Sequence, residues 1–312
     1  MGKKLPKKVL EIKATKKTKI DYSTQKSFSY SQLSSYLVCP HRWYLDKVEG
    51  HQVYEPSIHT VFGTALHETI QKWLDVLYTD TVKKANEMDL DGLLLDRMRK
   101  IYKKERYRFN YTDFSSSKQL QEFYNQGKEI MRYLVKKRSF YFYKKKVYLA
   151  GVETPLVEEV RPNVFFVGYI DLVFYDETLD EYTLIDIKTS TSGWNKFQKQ
   201  DELKQYQLIL YKYYFSKIFE IPLDKINIQY FICKRKVPEE SDWPVKRVQI
   251  FEPASGKVKM NRALRAVNDF IENVFDENGE YLQKKYQKNP SEWNCRFCSY
   301  VNQTNLCTEG VN

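Results

Sequence analysis

Apolar and polar positions change their period along the chain, and each change predicts a different element. From Thr60 to Tyr78, Leu66, Ile70, Trp73 and Leu77 recur at three-to-four spacing, which predicts an amphipathic helix with His67 beside its apolar stripe. Ahead of it, Ser31 is placed to cap a short helix carrying Leu33, Tyr36 and Leu37, with Pro40 marking a break near its end. Residues 80–145 mix Lys, Arg, Glu, Tyr and Leu without a proline and predict a helical layer. Near Lys146 the period shortens. Val147 to Val160, Asn163 to Tyr175 and Glu181 to Thr189 are rich in Val, Ile, Phe, Tyr and Thr, with turns at Arg161-Pro162-Asn163 and Asp176-Glu177, and predict an antiparallel meander. A helix over Asp201 to Phe219 follows, then a strand over Ile226 to Lys234 and a polar loop through Pro238 and Pro244. A strand near Val245 to Phe251 and a helix over Ala263 to Val274 complete the pattern, and no internal repeat interrupts it.

Charge is concentrated at the beginning. The 312 residues carry a formal net charge of +11, of which residues 1–26, with nine lysines against Glu11 and Asp21, hold +7. Basicity therefore says little about the folded body, and the charge block predicts an unstructured leader over 1–26. No apolar core with a cleavage site opens the chain and no run approaches the eighteen apolar residues of a membrane helix, so a soluble, cytoplasmic protein without membrane attachment is expected. Five cysteines in such a chain argue against a disulfide scaffold. Cys39 lies alone near the front, Cys233 sits in the apolar run Tyr230-Phe231-Ile232-Cys233 and reads as a core thiol, and Cys295, Cys298 and Cys307 crowd the tail.

On the strand Tyr182 to Thr189 the period of two places Leu184, Asp186 and Lys188 on one face and Ile185 and Ile187 on the other. Gly168-Tyr169-Ile170-Asp171 brings a second carboxylate on the preceding strand, and the turn at Asp176 to Asp180 returns the chain so that Asp171 and Asp186 face each other. Paired carboxylates hold Mg²⁺ or Mn²⁺ through hard oxygens, and a nearby ammonium stabilises charge building on a phosphate, the combination that phosphodiester hydrolysis needs. Alone, an Asp-x-Lys triplet in a chain with 29% charged residues reads as a solvated strand face. On the following helix, Gln207 and Tyr211 sit one turn apart on a single face.

The order His67, Gly168-Tyr-Ile-Asp171, Asp186-Ile-Lys188 and Gln207-x-x-x-Tyr211 resembles the RecB-type branch of the PD-(D/E)XK nuclease superfamily. Ser31-Gln-Leu-Ser-Ser-Tyr-Leu-Val-Cys39-Pro-His-Arg-Trp-Tyr44, with Cys295-x2-Cys298-x8-Cys307, resembles the iron-sulfur members of that branch, such as AddB nuclease domains and CRISPR-adaptation exonucleases. The resemblance implies an α/β, restriction-endonuclease-like core in which a central mixed sheet is flanked by helices. It also implies a 4Fe-4S cluster on Cys39, Cys295, Cys298 and Cys307 that joins the N- and C-terminal segments. Residues 27–312 would form the nuclease domain, with 80–145 a helical insertion and 290–312 the cluster-binding tail. His67, Asp171, Asp186 and the backbone carbonyl of Ile187 would hold Mg²⁺ or Mn²⁺. Lys188 would position water and stabilise phosphorane charge, and Gln207 and Tyr211 would hold the DNA strand or the lysine.

The same resemblance implies a metal-dependent DNA nuclease, an exonuclease on single-stranded DNA or DNA ends. The alternative is a non-catalytic or partner-dependent DNA-binding subunit of a recombination or repair complex. The residues themselves leave RNA open as substrate and zinc open as occupant of the four thiols. Without a Gly-x-x-x-x-Gly-Lys-Ser/Thr motif, either unwinding comes from a partner such as a helicase, with a recombinase or single-strand-binding protein as further candidates, or the substrate arrives already open. Glu158 and Glu159 lie on the strand before the hairpin as lesser candidates for a metal contact. Lysines and tyrosines interleave through Tyr102 to Tyr111 and Tyr141 to Lys146, a composition that suits phosphate neutralisation and base stacking as well as a solvated helix with buried aromatic edges.

Overall fold

Helix caps, turn residues and the two hydrophobic periods determine where the elements fall. The computed structural model describes residues 5–15, 18–51, 54–238, 245–301, 303 and 305–311. In chain order these form α1 (Lys7–Lys13), β1 (Lys26–Phe28), α2 (Tyr30–Val38), α3 (Pro40–Lys47), α4 (Ile58–Thr79), α5 (Val82–Glu87), α6 (Leu90–Arg108), α7 (Ser117–Lys136) and α8 (Arg138–Tyr141). Strands β2 (Val147–Arg161), β3 (Val164–Asp176) and β4 (Glu181–Ser190) follow, then α9 (Lys196–Gln200), α10 (Glu202–Phe219), β5 (Ile226–Lys234), β6 (Val248–Phe251), α11 (Lys257–Val274) and α12 (Glu292–Cys295). Among the described residues no helix is long and apolar enough to cross a membrane.

Several expectations are corrected. The leader contains α1, because Val9 and Ile12, one turn apart among the lysines, are buried; Lys3, Lys4, Lys16 and Lys17 lie outside the described residues. Ser29 rather than Ser31 occupies the N-cap of α2, and Pro40 opens α3, where a missing N–H costs nothing. β6 starts at Val248 rather than Val245, and α11 starts six residues before Ala263. Pro244, in the polar loop, lies outside the described residues.

The chain divides into two compact units, with boundaries inside β2 and β3. The first comprises residues 1–15, 55–154 and 169–254. In it β3 pairs antiparallel with β4, β4 parallel with β5, and β5 antiparallel with β6, a mixed sheet. Leu172, Ile185, Ile187, Phe231 and Cys233 are buried in one cluster with the apolar stripe of α4, which includes Leu66, Ile70, Trp73 and Leu77. The region expected to be a helical layer is α5 to α8, and it shares that core through Leu94, Met98, Phe123, Ile130 and Leu134. A β-carbon at Gly127 of α7 would lie 2.5 Å from Leu94 Cδ2 and 3.0 Å from Phe62 Cε2, so glycine permits the close approach of α7. Helix α10 packs against β4 and β5. Asp201 caps it, accepting from Leu203 and Lys204 N–H, and Glu220 ends it in a left-handed conformation.

The second unit comprises residues 16–54, 155–168 and 255–312. There β1 runs parallel to the first residues of β3, from Lys26↔Val164 to Phe28↔Phe166. Its core is aromatic: the buried Trp43 ring stands 5.5–5.8 Å from Tyr36, Phe270, Tyr281 and Tyr286. The tail is tied to α2 and α3 by polar contacts. Asn289 Nδ2 donates to the Val38 carbonyl at 2.9 Å, His41 Nε2 lies 2.9 Å from the Leu306 carbonyl, and Tyr300 OH donates to the His51 carbonyl at 2.6 Å.

Candidate active site and cysteine cavity

The β3–β4 ladder runs from Asp176↔Glu181 to Leu172↔Ile185 and stops one step short of Asp171 and Asp186. Where the strands part, the Ile187 N–H donates to Asp171 Oδ2 at 2.6 Å instead of to a strand carbonyl. The alternation along β4 then sends Ile185 and Ile187 into the apolar core and Asp186 and Lys188 toward α10. Lys188 Nζ stands 2.8 Å from Asp186 Oδ2. Gln207 joins the two: its Nε2 donates to Asp186 Oδ1 at 2.7 Å and its Oε1 accepts from Lys188 at 3.0 Å. Gln207 Nε2 also lies 3.4 Å from the Tyr211 hydroxyl one turn on, and that hydroxyl hydrogen-bonds the Tyr169 backbone of β3. From α4, His67 Nδ1 comes within 3.7 Å of Asp171 Oδ2. All the residues expected at the metal and catalytic centre thus meet in the first unit.

Burial governs the electrostatics. Desolvation pushes the Asp171 carboxyl well above the usual range, the neighbouring Asp186 adds to this, and the Ile187 N–H and Lys188 oppose it. Burial lowers His67 to about 4, so its imidazole is neutral at neutral pH and retains a lone pair for a metal. Burial raises Tyr211 to about 12. Asp186 is 3% exposed, and its Oδ2 accepts no hydrogen bond among the described residues. A buried carboxylate oxygen that accepts no hydrogen bond among the described residues, with the Lys188 ammonium 2.8 Å away, fits a place for a cation. Among the described residues no three His, Cys, Asp or Glu side chains close on one point as a full ligand shell. Asp171, Asp186 and His67 are the groups that could hold an ion here, and so open a set suits Mg²⁺, which keeps several waters and takes one or two carboxylates.

The sequence reading overlooked two residues. Gln71, one helical turn after His67 and buried, donates through Nε2 to Glu153 Oε1 at 2.6 Å and approaches the Asp171 carbonyl at 3.4 Å. Glu153 adopts φ +48° inside β2, and its charge acts on Asp171. The four-residue step from His67 was a signal for Gln71; Glu153 offered only a Val-Glu-Thr triplet. The acids singled out on β2, Glu158 and Glu159, lie beyond this stretch, and Glu159 Oε1 accepts from the Asn163 N–H at 3.0 Å. Of the interleaved aromatics, Tyr102 stacks on Phe114 and Tyr141 packs on Phe231, whereas Tyr107 and Tyr111 are exposed.

In the second unit, Cys39, Cys295, Cys298 and Cys307 line one cavity with His41, Arg42 and Lys288. All four are free thiols, half-buried. Cys39 is the residue between α2 and α3, Cys295 ends α12, and the Cys298 N–H donates to the Cys295 carbonyl in the turn that follows. The four thiols line this cavity beside the cationic Arg42 and Lys288, and among the described residues no three of them close on one point as a ligand shell. Cys233 is excluded from this set by its place in β5, where complete burial raises its thiol to about 12.

No curated protein matches the chain. Among solved structures, the crystal structure of a "Putative exonuclease" from Eubacterium rectale is similar, with a TM-score of 0.50 and 13% identity over 96% of this chain and 97% of that one. That likeness concerns the fold. The model of the PD-(D/E)XK nuclease superfamily matches residues 27–303, a span that holds every residue of the Asp171–Asp186–Lys188 centre, and the chain therefore belongs to that superfamily.

Proposed function

We propose that this nuclease is a metal-dependent deoxyribonuclease, an exonuclease acting on single-stranded DNA or DNA ends, with a structural 4Fe-4S cluster. The observation that carries the reading is the buried Oδ2 of Asp186, which accepts no hydrogen bond among the described residues, beside Asp171 and Lys188 where β3 and β4 part. Nucleases of this superfamily typically use Mg²⁺ or Mn²⁺, and here Asp171, Asp186, the Ile187 carbonyl and neutral His67 would hold the ion. When bound, it supplies Lewis-acid polarisation of a phosphoryl oxygen and a more acidic water. The protein's own groups do the rest. Gln207 fixes Lys188 so that its ammonium faces the phosphate and offsets the charge that builds during in-line attack. Tyr211, neutral across the physiological range, holds Gln207 and the β3 backbone in register.

Cys39, Cys295, Cys298 and Cys307 would ligate the cluster, which supplies a covalent tie between α2–α3 and the tail. A helicase, recombinase or single-strand-binding protein is the kind of partner that presents an opened strand to such a site.

The test is digestion of end-labelled single- and double-stranded DNA by anaerobically purified protein with Mn²⁺, Mg²⁺ or EDTA, together with its visible spectrum. Metal-dependent release of label from a brown sample supports the proposal. A colourless, zinc-loaded protein removes the cluster from it, and failure to cut either DNA form removes the deoxyribonuclease.

A further inference from the structure

The segment that leaves the catalytic strand is held rigidly yet presents a bare aromatic ring. At the end of β4, Ser190 Oγ accepts from the Gly193 N–H at 3.1 Å and donates to its carbonyl at 3.0 Å. Trp194 exchanges two backbone hydrogen bonds with the Gln249 amide of β6, at 2.7 and 3.1 Å. Asn195 and Gln198 form a reciprocal capping box on α9, and the buried Gln205 of α10 donates to the Lys199 carbonyl at 2.6 Å. On this pinned segment Phe197 is 81% exposed.

The surroundings point to one kind of partner. From Trp194 to Gln200 the chain carries Lys196 and Lys199 and no acid. The Trp194 ring lies 4.8 Å from the Tyr230 ring, and Lys188 Nζ lies 5.9 Å from the centre of that same ring, so the segment leading into α9 is linked to the catalytic lysine through the Tyr230 ring. Phe197 lies nine positions after Lys188, a reach of about 30 Å at full extension and less in the folded chain, comparable to a few nucleotides of single strand.

We propose that Phe197 is a stacking platform for an unpaired base of the strand entering the Asp186–Lys188 centre, with Lys196 and Lys199 beside the adjacent phosphates. This rests on the deoxyribonuclease reading above and adds its preference for unpaired DNA. An aromatic face accepts any base, so the contact selects for openness of the strand and not for sequence.

The test uses the full chain in EDTA, a single-stranded oligonucleotide containing 2-aminopurine, and an otherwise identical oligonucleotide made abasic throughout the contacted stretch. Phe197→Ala should weaken binding of the base-containing strand about tenfold, the size of one lost base–aromatic stack, and reduce 2-aminopurine quenching. Binding of the abasic strand should not change, and Phe197→Trp should restore both signals. Equal binding and quenching by wild type and Phe197→Ala, in a preparation whose wild type digests single-stranded DNA in Mg²⁺, overturns the platform and leaves the nuclease reading standing. Equal losses on the base-containing and abasic strands overturn it also. A wild-type protein that neither binds nor digests single-stranded DNA overturns both.

Discussion

Gln207 Nε2 donates to Asp186 Oδ1 at 2.7 Å, so a carboxylate on the sheet is aimed by an amide on α10. The same amide accepts from Lys188, and no charged side chain can replace it without unbalancing one of its two partners. Gln207→Ala is expected to lower kcat by about 10- to 100-fold through misplacement of both groups, with little change in KM. Gln207→Glu, which sets a second negative charge against Asp186, is expected to fall at least as far. Steady-state kinetics on a labelled single strand read both.

Asp171 gives a prediction of opposite signs for stability and activity. Its folded carboxyl sits well above 3.8 because of burial and Asp186, so the folded state holds the proton more tightly than the unfolded state. Its contribution is favourable at low pH and is lost as pH rises through the raised value. At neutral pH the metal-free protein therefore carries a cost that Asp171→Asn removes. The variant is expected to melt higher than wild type in EDTA, to gain nothing from added Mg²⁺, and to have lost digestion. Thermal melts with and without metal decide this, since wild type is stabilised by any ion that binds the folded state alone.

His67 produces the reverse slope. Its value falls from 6.5 to about 4, so between those limits the unfolded chain is protonated while the folded imidazole is neutral. Stability should decline as pH drops through 6.5 and level off below about 4. The difference is about 2 kcal/mol, discounted from the full shift because part of the side chain remains exposed. His67→Asn is expected to flatten that part of the curve, measured by denaturant midpoints between pH 4 and 7.

The cysteines should behave as two classes. Cys39→Ser is expected to abolish the brown colour and lower the melting temperature, because it removes a donor from the cavity in the second unit. Cys233→Ser should keep the colour and lose stability by about 1–3 kcal/mol, since it sets a hydroxyl in a fully buried place in β5. Visible absorbance and iron content separate the two outcomes.

Close packing of the helical layer is testable at Gly127. Gly127→Ala places a carbon 2.5 Å from Leu94, which must shift, and is expected to cost about 1–3 kcal/mol in urea unfolding.

Strong periodicity was legible. β5 occupies Ile226–Lys234 as its apolar run indicates, and the stripe through Leu66, Ile70, Trp73 and Leu77 forms α4 with ends shifted by only one or two residues. The turn between β3 and β4 was also readable, and with it the approach of Asp171 to Asp186. What escaped depended on contacts between residues distant in the chain. Glu153 matters because of Gln71, 82 positions away, and because a left-handed residue re-aims it inside a strand. Val9 and Ile12 were hidden among lysines whose charge outweighed two apolar positions, although their spacing was helical. At Ser29 and Ser31 two equivalent caps stood two residues apart, and local sequence does not choose between them.

The proposed metal-dependent hydrolytic centre for DNA, made of Asp171, Asp186 and Lys188, is tested at its lysine. Its most direct test compares wild type with Lys188→Ala on an end-labelled single strand in Mn²⁺ and in EDTA. Wild type is expected to digest the strand in Mn²⁺ alone, and Lys188→Ala to lose at least 100-fold of that activity with its melting temperature preserved. Undiminished Mn²⁺-dependent digestion by a folded Lys188→Ala protein would contradict it.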